Sequence, residues 1–381
     1  MKNESDQVKK LGYIDSLRGF AVLAVLMVHC ADYGTNNYPD IIESITGNGG
    51  RGVQLFFIVS AFTLFLSLHH RSKKENNVYS NFFIRRFFRI APMFYLAIIY
   101  NVVERLFMGY VLIGYYPDVT PWSVISSVFF LHGLSPYWIN NVVPGGWTIT
   151  NEMMFYCMIP FLFKKIKNLN HAAIAFIIAV FIQHCFIFLV KQVPFAEPHF
   201  MKGFLFFFLP NHLPVFACGI FLYFLVYTPK EQWKINPLIL LFFPLSFLLQ
   251  LATGRELYSQ HVLFSFAFVA FAYVLSIKEF KIFVNPVSRF LGKISYSMYL
   301  VHFAVLHLLF KFDFLDYVST GTVIESLLNL GIRYSIVILL TVIISYITYR
   351  LIEKPFQQLG KRIIKKRETK TGMKEANLNS I

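Results

Sequence analysis

Acidic residues and paired cysteines are both scarce in this chain. Only 20 of its 381 residues are Asp or Glu, and charged residues of all kinds make up 14%, against about 25% in an average soluble protein. So little charge beside so many aromatics excludes a disordered chain and argues against an ordinary soluble enzyme. The four cysteines, Cys30, Cys157, Cys185 and Cys218, form no Cys-x-x-Cys pair and fall in apolar runs. They read as small buried hydrophobes, not as disulfides or metal ligands. No Walker A, H-E-x-x-H or G-x-S-x-G pattern occurs. A nucleotide-driven pump, a zinc protease and an α/β-hydrolase therefore lose their usual signals.

What the chain has is apolar bulk. Hydrophobic residues make up 56%, with 44 Phe and 21 Tyr. A membrane-crossing helix needs about 20 largely apolar residues. Ten stretches qualify: 14–32, 53–70, 87–108, 146–163, 171–191, 204–227, 236–252, 259–277, 293–311 and 330–352. An eleventh, 122–134, is too short and reads as a dipping or interfacial helix. The fold class expected is therefore all-α: a polytopic bundle of about ten transmembrane helices with both termini cytoplasmic. The membrane domain covers 11–357, and 358–381 reads as a basic, disordered tail, with Pro355 stopping the last helix. The first apolar run carries Asp15 and Arg18, lacks a small-residue cleavage site, and is expected to stay in the protein.

The net charge is +15. With the N-terminus inside, 28 of the 35 Lys and Arg fall on the cytoplasmic side and 7 outside. That asymmetry fixes the orientation and accounts for the basic excess without nucleic acid. Membrane lipid is the partner it implies.

Ionisable residues within spans are costly, which makes them candidates for function. Arg18 and His29 are eleven apart in the first span. That is about 20° from three full turns, so they share a face about 16 Å apart. Asp15 lies one turn before Arg18 and can pair with it. The plainer alternative is that Arg18 snorkels and His29 caps the outer end. Ser60 in RGVQLFFIVSAF suits close helix approach. Arg85, Arg86 and Arg89 form a cytoplasmic cluster that suits phosphates or, equally, anionic lipid. Glu152, in WTITNEMMFY, needs a cation, a donor or water. It is expected at the depth of His29, as an acid–base pair able to activate a hydroxyl. His302, in LGKISYSMYLVH, faces the bundle if that helix is amphipathic.

Taken in order, Arg18-x10-His29, RGVQLFFIVSAF, Arg86-x-x-Arg89, WTITNEMMFY, LGKISYSMYLVH and YRLIEKPF resemble the membrane acyltransferase-3 family from about residue 11 to 357. Ala61 departs from the glycine that the family often has there. The resemblance implies an O-acyltransferase, with acetyl most expected, that uses acyl-CoA as co-substrate and holds no bound cofactor or metal. Its acceptor would be a carbohydrate or lipid-linked glycan, and its place a multi-pass position in a bacterial cytoplasmic (inner) membrane. It implies catalytic roles for His29, Glu152 and Arg18, and acyl-CoA binding by Arg86 and Arg89, with Arg85 beside them. Asp15, Ser60, Trp147, Tyr156 and His302 are the supporting residues. Any extracytoplasmic domain needed to finish the transfer would be a separate partner protein. A glycan or lipid-linked-sugar exporter is the competing reading.

Overall fold

The computed structural model describes residues 11–34, 37–108, 119–193, 195–233 and 235–378. The basic residues expected on the cytoplasmic side before residue 11 lie outside them. The described residues form helices and no strand. They are α1 (Gly12–Asp32), α2 (Asp40–Gly47), α3 (Gly52–Arg71), α4 (Val78–Met108), α5 (Pro121–Val128), α6 (Trp147–Lys165) and α7 (Leu169–Gln192). Then come α8 (Pro198–Phe207), α9 (Leu209–Tyr227), α10 (Pro237–Thr253), α11 (Gln260–Ile277), α12 (Pro286–Lys311), α13 (Val323–Thr348) and α14 (Lys354–Leu378). Every one of the ten apolar stretches is helical or nearly so. Seven helical segments are long and apolar enough to cross a bilayer. Of the other three stretches, α4 and α6 carry several charged residues, and α10 has 17 residues. Large apolar side chains such as Phe181, Leu251 and Leu339 stand exposed on the outside of the bundle, as helices in hydrocarbon require.

α1 sits at the centre, packed on α12, α3 and α13. Small residues allow the closest of these approaches. A Cβ built on Gly292 of α12 would lie 1.6 Å from the Asp15 carbonyl oxygen, and one on Gly19 would lie 2.4 Å from that of Ser288. The Ser288 hydroxyl donates to that of Ser16 across the same contact (2.9 Å). α12 starts in a capping box, Asn285 with Ser288, and α13 in another, Thr322 with Glu325, which satisfies the orphan N–H groups of each first turn.

Three expectations change. The stretch 204–227 is broken at Phe208, whose extended backbone separates α8 from α9. Pro210 has no N–H and its ring excludes the carbonyl four residues back. That carbonyl, of Phe206, instead accepts from Asn211 Nδ2 (2.8 Å), and the Phe207 carbonyl accepts from Asn151 Nδ2 (2.7 Å). Second, Pro355 does not stop the last helix. A π turn at Tyr349–Glu353 precedes it, and the wider register accommodates the missing donor. Third, the segment expected as a disordered tail is helical to Leu378, and α14 packs against α4. Glu368 there accepts from the Asn76 and Asn77 backbone N–H groups and from Asn81 Nδ2. The dipping helix expected over 122–134 is α5 followed by a 3-10 turn at His132–Leu134.

Candidate active site

Two cavities lie along α1 and share Val53 and Tyr299 as a common wall. The one toward the start of α1 holds Arg18. α4 adds Arg86 and Arg89, α3 adds Ser60 and Thr63, α6 adds Glu152 and Tyr156, and α12 adds Ser295 and Tyr296. Arg18 is largely buried. Its Nη1 faces Asp15 Oδ1 at 3.5 Å and its Nη2 donates to Thr63 Oγ1 at 3.2 Å. Tyr156 Oη donates to Glu152 Oε2 at 3.0 Å. The Arg86 guanidinium lies over the rings of Tyr156 (5.7 Å) and Phe82 (5.5 Å), and its buried Nε has no partner. Among the described residues this cavity gathers three guanidinium groups and one carboxylate, and Arg86 and Arg89 enter no ion pair. Cations left this way in a buried site call for an anion.

The cavity toward the far end of α1 measures about 500 Å³ and is lined by His29, Asp32, Arg51, Gln54 and Trp147, with Phe206, Phe207 and Phe303. His29 Nδ1 stands 3.7 Å from Asp32 Oδ2. Its ring stacks on His302 (5.3 Å between centroids) and leans on Phe303 (4.5 Å). His302 is buried. Its Nδ1 lies 3.2 Å from the Met298 carbonyl, so the proton sits there, and its Nε2 has no partner. The shared wall is pinned: Tyr299 Oη donates to the Gly145 carbonyl (3.0 Å) and accepts from Thr148 Oγ1 (3.1 Å).

The structure therefore brings together Arg18, Ser60, Arg86, Arg89, Glu152 and Tyr156 in one cavity, with Asp15 bracing Arg18. His29 and Trp147 line the other, with His302 behind His29. Two expectations are corrected. Glu152 is not the partner of His29: it lines the first cavity, and the carboxylate beside His29 is Asp32. α6 begins only after a buried loop, with Val142 and Val143 in the core. Glu152 is thus about 7 Å deeper than Trp147. Arg85 does not join Arg86 and Arg89. It grips Glu75 with both ends of its fork (2.9 and 3.0 Å), being about 100° around the helix from Arg86.

Sequence reasoning gave no place in the site to Thr63, Gln54, Asp32, Tyr299 or, above all, Arg333. Arg333 is fully buried in α13. Its Nε donates to the Leu315 carbonyl (2.8 Å), its Nη1 to those of Cys30 (2.6 Å) and Tyr33, and its Nη2 to Asp316 Oδ1 (2.5 Å). It thereby ties the end of α1, just past His29, to the loop before α13. A lone arginine in an apolar span is itself the signal that could have found it. Four other histidines bond protein groups: His132 the Gly146 carbonyl, His184 that of Leu257, His261 that of Asn211, and His307 the Glu104 carboxylate.

A family model described as "Acyltransferase domain" matches residues 11–350. A protein of Acidianus two-tailed virus named "Putative acetyltransferase" is 28% identical, over 78% of this chain and 83% of its own length. Proteins named "Putative O-acetyltransferase" from Staphylococcus aureus strains COL and MSSA476 are 24% identical, over 92% of this chain. The match spans 58% of the length of those staphylococcal relatives. No solved structure matches.

Proposed function

The chain belongs to the acyltransferase family that its residues 11–350 match, and from that premise we propose that it is an integral-membrane O-acetyltransferase. It moves the acetyl group of cytoplasmic acetyl-CoA to a carbohydrate or lipid-linked glycan hydroxyl on the far side of a bacterial cytoplasmic membrane. In this reading all ten apolar stretches span, both termini are cytoplasmic, and the arginine-lined cavity opens inward. The distribution of Lys and Arg, 28 against 7, supports that orientation.

The observation that carries the proposal is the pair of cavities with one wall between them. The inner one gathers cations for the phosphates of the donor, with Arg86 and Arg89 as their partners. The outer one sets an imidazole, His29, against a carboxylate, Asp32, where an acceptor hydroxyl would arrive. A sugar hydroxyl is a poor nucleophile at neutral pH, and imidazole suits the removal of its proton. As the hydroxyl oxygen bonds to the acetyl carbon, its proton passes to His29. The carbon–sulfur bond breaks, and the proton held on His29 passes to the leaving thiolate of CoA, which restores the neutral imidazole. Asp32 orients the ring, the task of the acid in a hydrolytic triad.

The test is purified protein in lipid vesicles supplied with labelled acetyl-CoA. Label is expected on the glycan or, by a two-step route, on the protein. Arg86→Ala and Arg89→Ala should each raise the KM for acetyl-CoA about tenfold or more, the cost of a lost charged hydrogen bond. Movement of glycan across the membrane with no CoA released would overturn the proposal in favour of an exporter.

A further inference from the structure

We propose that the outer cavity selects an acceptor glycan carrying an anionic group, which Arg51 reads while Gln54 accepts from a sugar hydroxyl. The inference rests on the reading that this cavity takes the acceptor, and it names the chemistry of what enters.

Gln54 is the first observation. It is 1% exposed, lines the cavity, and its buried Oε1 has no partner. A buried polar atom left unpaired is destabilising, and a hydroxyl of a bound sugar would complete it. Arg51 is the second. Its Nη2 donates to the neutral Gln260 Oε1 (3.1 Å), its guanidinium lies 5.8 Å over the Phe264 ring, and its buried Nε has no partner. Among the described residues it meets no carboxylate within ion-pair distance. It is also one of only seven cations on the face read as outer, so topology anchoring does not account for it.

Local packing brings Arg51 to His29. The 3-10 turn Asn48–Arg51 lies on α1, where a Cβ on Gly49 would come 2.4 Å from the Ala24 carbonyl oxygen and 3.3 Å from the Val28 side chain. Val28 directly precedes His29. The close approach that glycine permits thus places Arg51 and His29 on one cavity. Asp32, the one carboxylate on that cavity among the described residues, stands beside His29 and not in an ion pair with Arg51. An incoming anion therefore finds a guanidinium that no carboxylate holds.

Carboxylate and phosphate share this chemistry, and the experiment separates them. Protein in vesicles with acetyl-CoA would be offered a hexuronate tetrasaccharide and its carboxyl-reduced form, and a glycerol-phosphate oligomer and uncharged polyglycerol. The expected result is acetylation of one charged acceptor at a kcat/KM about tenfold or more above its neutral counterpart, the worth of one charge-assisted contact. Arg51→Gln should bring that ratio close to one, Arg51→Lys should keep part of it, and Gln54→Leu should raise the KM for charged and neutral members alike. The readout is a ratio, so a general loss of folded protein cancels. Equal use of charged and neutral acceptors, or a preference that survives Arg51→Gln, would overturn the inference while leaving the acetyltransferase reading intact. Failure to release CoA with any acceptor would instead overturn that reading, and this one with it.

Discussion

Replacing Arg333 by Met should destabilise the bundle more than any other single loss of a polar side chain. Four acceptors are affected: the carbonyls of Leu315, Cys30 and Tyr33, and the Asp316 carboxylate. Interhelical hydrogen bonds in membrane proteins average about 0.6 kcal/mol, so four neutral ones would amount to roughly 2.5 kcal/mol. Charge raises that figure, because breaking a buried pair on one side typically costs about 3–5 kcal/mol. Asp316 keeps about a quarter of its side chain exposed, which lets water relieve part of its loss. A fall of about 3–4 kcal/mol is therefore expected, a large share of a total of about 5–15. Arg333→Lys keeps the charge but cannot reach all four acceptors and should lose about 1–3 kcal/mol. Gly34 reports on the same clamp: its φ is +83°, and a Cβ there would lie 2.1 Å from Arg333 Nη2, so Gly34→Ala should mimic part of the loss. The assay is thermal unfolding in detergent, read beside acetyl transfer, since the clamp holds the helix end that carries His29. An Arg333→Met protein with wild-type melting and wild-type turnover would refute the reasoning.

Other expectations can be checked alongside. His29→Ala should lower turnover by at least about 10²-fold, the low end for general acid–base catalysis, with acetyl-CoA binding retained; full turnover would move the chemistry to His302. Arg18→Ala should abolish transfer while the protein still inserts, and Arg18→Lys should keep some activity, both read from membrane fractions supplied with labelled acetyl-CoA. Gly292→Ala should cost about 1–3 kcal/mol or more by overpacking α1 against α12, whereas Gly331→Ala, with nothing within 4 Å, should be neutral or stabilising; equal melting temperatures for the pair would contradict the packing argument. Burial alone would raise the pKa of Glu75, but hydrogen bonds from Arg85, Arg71 and Asn81 outweigh it and hold the group below its ordinary 4.5. A depressed carboxylate stabilises above its unfolded pKa and loses that contribution as pH falls through the folded one. The melting gap between wild type and Glu75→Gln should therefore be full at neutral pH and close as the pH drops below about 4.5. A gap that stays constant would show that Glu75 acts through shape, not charge.

The apolar helices were legible because apolar length is a local property, and so was the shared face of Arg18 and His29, which needs only the helical period. What escaped depended on the path of the chain outside regular periodicity. The depth of Glu152 is set by a buried loop that starts α6 deep in the bundle, and no count of apolar residues reports that. Arg85 looked equivalent to Arg86 until a loop residue, Glu75, was found holding it. Asp32 was available by spacing, three residues past His29, and went unread. Pro210 and Pro355 show two different outcomes for proline in an apolar run. At Pro210 side-chain amides take the freed carbonyls and the helix breaks; at Pro355 a π turn accommodates the lost donor and the helix goes on.

One rod, α1, carries both Arg18 and His29, and glycine contacts hold it against α12 with no slack for sliding. Such a rod measures by counting. Inserting a single residue between the two positions would turn His29 about 100° away from its cavity and push it about 1.5 Å further off. Inserting four would restore the face to within about 40° but lengthen the span by about 6 Å. The eleven-residue interval is thus a fixed length, indifferent to many exchanges of one apolar side chain for another and intolerant of any change in their number.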